Sequence, residues 1–190
     1  MTAAEPRWTG GWLASARRCP SPNFGPRPGG VAVDLVVVHS ISLPPGRYGG
    51  DAVERLFTNR LDWDAHPYFD TIRGARVSAH FLIRRDGELV QFVSSRERAW
   101  HAGASSWHDR PDCNDFSVGI ELEGQEGEAF DKPQYVALAA LVELLGRCHP
   151  IGAVAGHEHI APGRKGDPGD AFDWPGLKRR LAPSTLEFAA

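Results

Sequence analysis

His39, His157 and Asp167 supply two imidazoles and a carboxylate, and Glu121 supplies a second carboxylate. All four sit in short stretches that alternate apolar runs with turn residues: VVVHSISLPPG (36–46), VSAHFLIRRDGELVQFV (77–93), DFSVGIELEG (115–124) and GHEHIAPGRKGDPG (156–169). Two histidines and one aspartate make a three-ligand set for a catalytic zinc ion, Zn2+, with a fourth position left open. A carboxylate outside that set could then take a proton from an attacking water.

Each residue also has a plainer reading when taken alone. A histidine at the end of a strand is commonly a hydrogen-bonded structural group. An aspartate before Pro-Gly commonly turns a loop, and HEH is not the HExxH signature of zinc peptidases. His159 competes with Asp167 for the third ligand position. In an extended stretch, side chains two residues apart share a face at about 6.5 Å, which two imidazoles could span. Strand alternation puts Glu121 and Glu123 opposite Val118, Ile120 and Leu122. That face is either solvated or aimed into a cleft, and Glu123 is the alternative base. Lys165 is either one cation of an exposed loop or an ammonium placed to face an oxyanion. Trp100, His101 and Trp107 either pack a loop onto the core or line a groove for carbohydrate or peptide.

The elements that must position these groups are legible as patterns. VAVDLVVV (31–38) reads as a buried strand that ends at His39. Asp51 can cap a helix over 51–60, and the segment from there to residue 75 reads as irregular. HFLIRR, Asp86-Gly87 and ELVQFV spell a β-hairpin over 80–93. After an aromatic loop (99–114), SVGIELE (117–123) is another strand. The longest helix is expected over 133–148, with Pro133 in its first turn and a core stripe of Leu138, Leu141, Val142, Leu145 and Cys148. AVAG (153–156) is a short strand that delivers His157, and a last helix runs from Pro175 through Leu181. Interleaved strands and helices with one antiparallel hairpin predict a mixed α/β fold: a single domain whose central mixed β-sheet is flanked by helices.

Length and composition bound the rest. The 190 residues suit one domain and a sizeable core. A net charge of −3 leaves no electrostatic footprint for nucleic acid or an anionic membrane. No apolar run is long enough to cross a bilayer, and the N-terminal stretch lacks the apolar core of a signal peptide. A cytoplasmic location is therefore expected, and no obligate protein partner is inferred. Cys19, Cys113 and Cys148 have no CxxC spacing, so no disulfide framework is expected. Cys148 reads as a small buried hydrophobe. Cys113 lacks an ordered base that would make it a nucleophile.

Taken together, VVVHSISLPPGRYGG, VSAHFLIRRDGELVQFV, RAWHAGASSW, NDFSVGIELEG and GHEHIAPGRKGDPG resemble the bacterial AmpD family of N-acetylmuramoyl-L-alanine amidases, which share the type 2 amidase and peptidoglycan-recognition fold. The resemblance covers about residues 8–182 of a 1–190 amidase domain, and IELEG with IAPGRKGDPG is its most specific part. It implies an anhydro-muropeptide substrate, zinc ligands at His39, His157 and Asp167, a catalytic acid–base at Glu121 and an oxyanion-stabilising Lys165. Stem-peptide and sugar contacts map less directly to Arg76, Trp100 and His101. It also implies the recycling branch of the family rather than the exported one. Two positions depart from the family pattern. Ser40 stands where asparagine is frequent, and HEH stands where histidine-serine-aspartate is more usual.

Overall fold

A run of valines leading into His39 is best housed in a strand covered on both faces. The computed structural model, which describes residues 7–189, puts it there; residues 1–6 and Ala190, the two ends of the 1–190 span, lie outside the described residues. Seven strands form the main sheet: β1 (Arg17–Arg18), β2 (Leu35–Ile41), β3 (Phe81–Ile83), β4 (Leu89–Gln91), β5 (Ser117–Glu123), β6 (Ala153–Gly156) and β7 (Glu187–Phe188). Their spatial order is β7-β6-β2-β5-β3-β4-β1. Neighbours are parallel except for the β3–β4 hairpin, which makes the sheet mixed.

Register divides the sheet into two unlike faces. One carries Val36, Val38, Phe81, Ile83, Val118, Ile120, Leu122 and Val154, and packs on Leu138, Leu141, Val142 and Leu145 of helix α2 (Lys132–Gly146). The other carries Leu35, Val37, Ala153 and Ala155 beneath Ala102, Cys113 and Phe116. Further along that face, Leu82 and Val90 meet Val53, Leu56 and Phe57 of helix α1 (Ala52–Phe57). A single-turn helix, α3 (His157–Ile160), and helix α4 (Trp174–Arg180) follow β6. Gln134 locks α2 onto the sheet. Its Oε1 accepts from the Asp131 amide at 3.0 Å, and its Nε2 donates to the carbonyls of Ile83 and Glu123 at 3.3 and 3.0 Å.

Several boundaries differ from the sequence reading. β2 starts at Leu35, because Val31 and Ala32 are exposed, and it runs on past His39 to Ile41, because β5 pairs with it all the way to Glu123. The segment before residue 75 contains a 3-10 helix at Pro67–Ile72. Helix α2 stops at Gly146, a residue that costs helix stability. Cys148 therefore falls beyond the last turn and is exposed, so the core stripe ends at Leu145. Among the described residues, no helix is long and apolar enough to cross a membrane.

Candidate metal centre and cleft

The site is a product of strand register. β6, β2 and β5 are adjacent and parallel, and in-register partners point to the same face. Glu121 pairs with His39, and Gly156 pairs with Val38, so His157 follows at the level of His39 as the first residue of α3. Three side chains thus meet at the carboxyl ends of three parallel strands, the edge where open α/β sheets bind ligands. Asp167 returns to them on the loop after α3, held by its own carbonyl, which accepts from the Glu158 amide at 2.9 Å.

The inner atoms of His39, His157 and Asp167 form a tight triangle. His39 Nδ1 lies 3.0 Å from His157 Nδ1, and both nitrogens lie 3.1 Å from Asp167 Oδ2. All three residues are buried. Three atoms that each offer a lone pair to a common point fit a cation better than they fit one another. A tetrahedral zinc would space such ligand atoms about 3.3 Å apart. The outer nitrogens are engaged elsewhere: His157 Nε2 donates to the Ala102 carbonyl at 3.0 Å, and His39 Nε2 meets His101 Nδ1 at 2.9 Å. The donor set therefore fits a metal ion, and it is a His-His-Asp group of the right reach.

Electrostatics separate the two carboxylates. Burial pushes the His39 pKa down to about 4, which keeps the imidazole neutral near pH 7 (roughly the physiological value) and able to coordinate. Burial would raise Asp167, but hydrogen bonds with His157 and His39 outweigh it and hold the carboxyl well below the usual range. Glu121 goes the other way. Burial, then the charge of Asp167, pushes its pKa well above the ordinary carboxylate range, with Lys165 opposing. Its Oε2 is buried without a hydrogen-bond partner. Glu123, the alternative base, is occupied: its carboxylate accepts from Arg84 at 2.8 Å and from the Gly49 and Arg85 amides at 2.7 and 3.2 Å.

These groups floor a cleft of about 550 Å³. Leu43, Leu56, Phe57, Tyr68, Ile72 and Trp100 contribute an apolar wall, and Lys165 and His101 reach it as well. Arg76 is exposed beside Val77 and does not line the cleft. His159 is not part of the triangle. It lies on a helical turn rather than an extended stretch, so it points away from His157; its Nδ1 accepts from the Gly156 amide at 2.8 Å, and its ring packs on Trp174. The wall residues from the 40–75 segment left no periodic signal in the sequence, because they come from a turn, one short helix and a 3-10 turn.

Residues 29–170 match the family described as N-acetylmuramoyl-L-alanine amidase. The chain belongs to that family. Among the curated relatives of this amidase, the 1,6-anhydro-N-acetylmuramyl-L-alanine amidase AmpD of Escherichia coli (strain K12) is 54% identical over 166 residues, spanning 86% of this chain and 91% of the relative. The AmpD of Citrobacter freundii is 52% identical over 177 residues, spanning 92% and 95%. A crystal structure of a selenomethionine AmpD derivative superposes with a TM-score of 0.89 at 50% identity, covering 92% of this chain and 99% of that one. The Escherichia coli amidase AmiD, solved with the substrate anhydro-N-acetylmuramic acid-L-Ala-D-gamma-Glu-L-Lys, shares 27% identity with a TM-score of 0.57 over 81% of this amidase and 60% of that chain. The expected mixed α/β domain is the fold these amidases share.

Proposed function

We propose that this amidase hydrolyses the amide between the lactyl group of 1,6-anhydro-N-acetylmuramic acid and L-alanine, releasing stem peptide for cell-wall recycling in the cytoplasm. The observation that carries the reading is the triangle of His39 Nδ1, His157 Nδ1 and Asp167 Oδ2 on the floor of a cleft that also holds the unpartnered Glu121 carboxylate. Its support includes the 1,6-anhydro-N-acetylmuramyl-L-alanine amidase activity for which relatives more than half identical over most of their length are named. The amidase unit would span 1–190, with its core over about 8–182.

His39, His157 and Asp167 would hold zinc, which when bound supplies Lewis acidity for activating water and polarising the scissile carbonyl. Glu121 takes the proton of the attacking water and later delivers it to the leaving amine. Its raised pKa suits the delivery half of that cycle, since burial favours the protonated carboxyl. Lys165, at the cleft, neutralises charge that builds on the carbonyl oxygen. Trp100 offers an aromatic wall to sugar or stem peptide, and Arg76, outside the lining, would reach only a substrate that extends past Val77.

Mass spectrometry of products from a purified anhydro-muropeptide tests the reading. Free anhydro-sugar with intact peptide is the expected result. A shortened peptide would instead mean a zinc peptidase, and no product would mean a binding module.

A further inference from the structure

We infer that His101 is a positioning residue for the metal centre: it accepts a hydrogen bond from His39 Nε2–H and so selects the His39 tautomer whose Nδ1 faces His157 and Asp167. This rests on the metal-site reading above. The proton directions follow from the one group in the chain of contacts that can only accept. Ser117 Oγ lies 2.5 Å from the carbonyl oxygen of Cys113. A carbonyl has no hydrogen to give, so the hydroxyl hydrogen lies between these two oxygens. Ser117 Oγ then has only lone pairs left for His101 Nε2, which sits 3.2 Å away. That nitrogen must carry the hydrogen. Neither partner of the His101 ring, the His39 imidazole or the Ser117 hydroxyl, is a carboxylate that would hold a second proton on it, and a neutral imidazole has a single N–H. His101 Nδ1 is therefore an acceptor, and His39 Nε2, at 2.9 Å, is the donor. His39 Nδ1 is left with a lone pair directed into the triangle, as a metal ligand requires.

The neighbouring residue performs the same service for the second histidine. The Ala102 carbonyl accepts from His157 Nε2 at 3.0 Å, which frees His157 Nδ1 for the centre. Asn114 Oδ1 clamps both residues by accepting the amides of His101 and Ala102 at 3.0 and 2.8 Å. Gly119 on β5 leaves the space that the His101 ring fills, since a Cβ there would lie 2.4 Å from the ring. One clamped dipeptide thus sets the tautomer of both imidazoles. With both ring nitrogens in use, His101 reaches the reaction through His39 although it lines the cleft.

Nitrogen-15 NMR of the unaltered, zinc-loaded protein tests the assignment directly. The expected spectrum shows His101 protonated at Nε2 and bare at Nδ1; the reverse tautomer overturns the inference without touching the metal-site reading, whereas a protein that takes up no zinc overturns both. Zinc affinity, measured by competition with a chromophoric chelator, gives a second reading. Loss of such an outer partner typically weakens metal binding about 10–100-fold. His101→Ala is expected to fall in that range, and His101→Asn, which keeps an acceptor near the Nδ1 position, is expected to recover most of it. Ser117→Ala frees His101 to reverse its tautomer and is expected to weaken zinc in the same direction. If His101→Ala does not fold, the comparison of His101→Asn with Ser117→Ala decides. Wild-type zinc affinity in Ser117→Ala, or an increase in KM with unchanged zinc affinity in any His101 variant, would return His101 to the role of a substrate contact.

Discussion

Glu121 is a buried carboxylate with an oxygen that bonds to nothing, a state that costs stability and therefore invites a chemical reason. Glu121→Gln keeps the shape and removes the proton acceptor. Fold and zinc content should persist while kcat falls by about 10²–10⁴-fold. Turnover near wild type would require another base, and Glu123 is tied to Arg84 and to backbone amides. Lys165→Ala should lower kcat more than it raises KM, because the charge it meets is largest in the transition state. A pure KM effect would make Lys165 a partner for a carboxylate of the ground-state substrate. For the third ligand, Asp167→Ala should lose zinc and activity together, and His159→Ala should keep both. Metal analysis of the two purified variants is sufficient, and zinc lost from the His159 variant alone would reverse the ligand assignment. The sequence raised His159 because two residues apart on a strand share a face; the single turn of α3 removes that coincidence.

Helix α1 illustrates how an element holds the cleft. Its apolar side, Leu56 and Phe57, forms part of the wall, while Glu54 ties it to the sheet edge. Glu54 accepts from Arg17 of β1 at 2.8 and 2.9 Å and from Arg84, just past β3, at 2.6 Å. Arg84 in turn donates to Glu123 at the end of β5. Arg17 above all, and then Arg84, hold the Glu54 pKa at about 2, against an ordinary value of 4.5. A folded pKa below the unfolded one means that the stabilisation is complete above pH 4.5 and is lost as pH falls towards 2. Urea midpoints of the wild type and Glu54→Gln should therefore differ more at about pH 7 than at about pH 3. An equal gap at both would show that the ion pairs contribute nothing to folding. This network was not legible in the sequence, since Arg17, Glu54, Arg84 and Glu123 share no spacing and meet only through the order of the strands.

At the scale of the whole molecule, the candidate metal centre joins segments that are far apart in the chain, with His39 on β2 and His157 and Asp167 after β6. A cation that binds this arrangement and not the unfolded chain stabilises the fold by linkage. Removing zinc with a chelator should abolish activity and lower Tm by roughly 5–10 °C when the ion had been present at about a hundred times its Kd. Adding zinc back should restore both. A melting curve indifferent to chelator would mean that no ion binds the folded protein in preference to the unfolded chain, and would count against the metal-site reading.

Local patterns alone determined the elements nearest the site. The β-branched run, the Asp-Gly hairpin, the alternation in SVGIELE and the apolar stripe of α2 up to Leu145 each depend on neighbours a few residues away, and each is present in the fold. The candidate ligands were legible for a different reason: few side-chain types coordinate a metal, and these stand beside turn residues. Only the tertiary structure decided that Glu121 faces a cleft rather than solvent, because one strand cannot say what covers its second face. It likewise settled where Cys148 lies, since helix α2 ends at Gly146. The path from Ser117 through His101 to His39 depends on β5 lying beside β2 with Gly119 leaving room for a ring. Contacts of that kind are set by strand order and register, and no spacing along the chain encodes them.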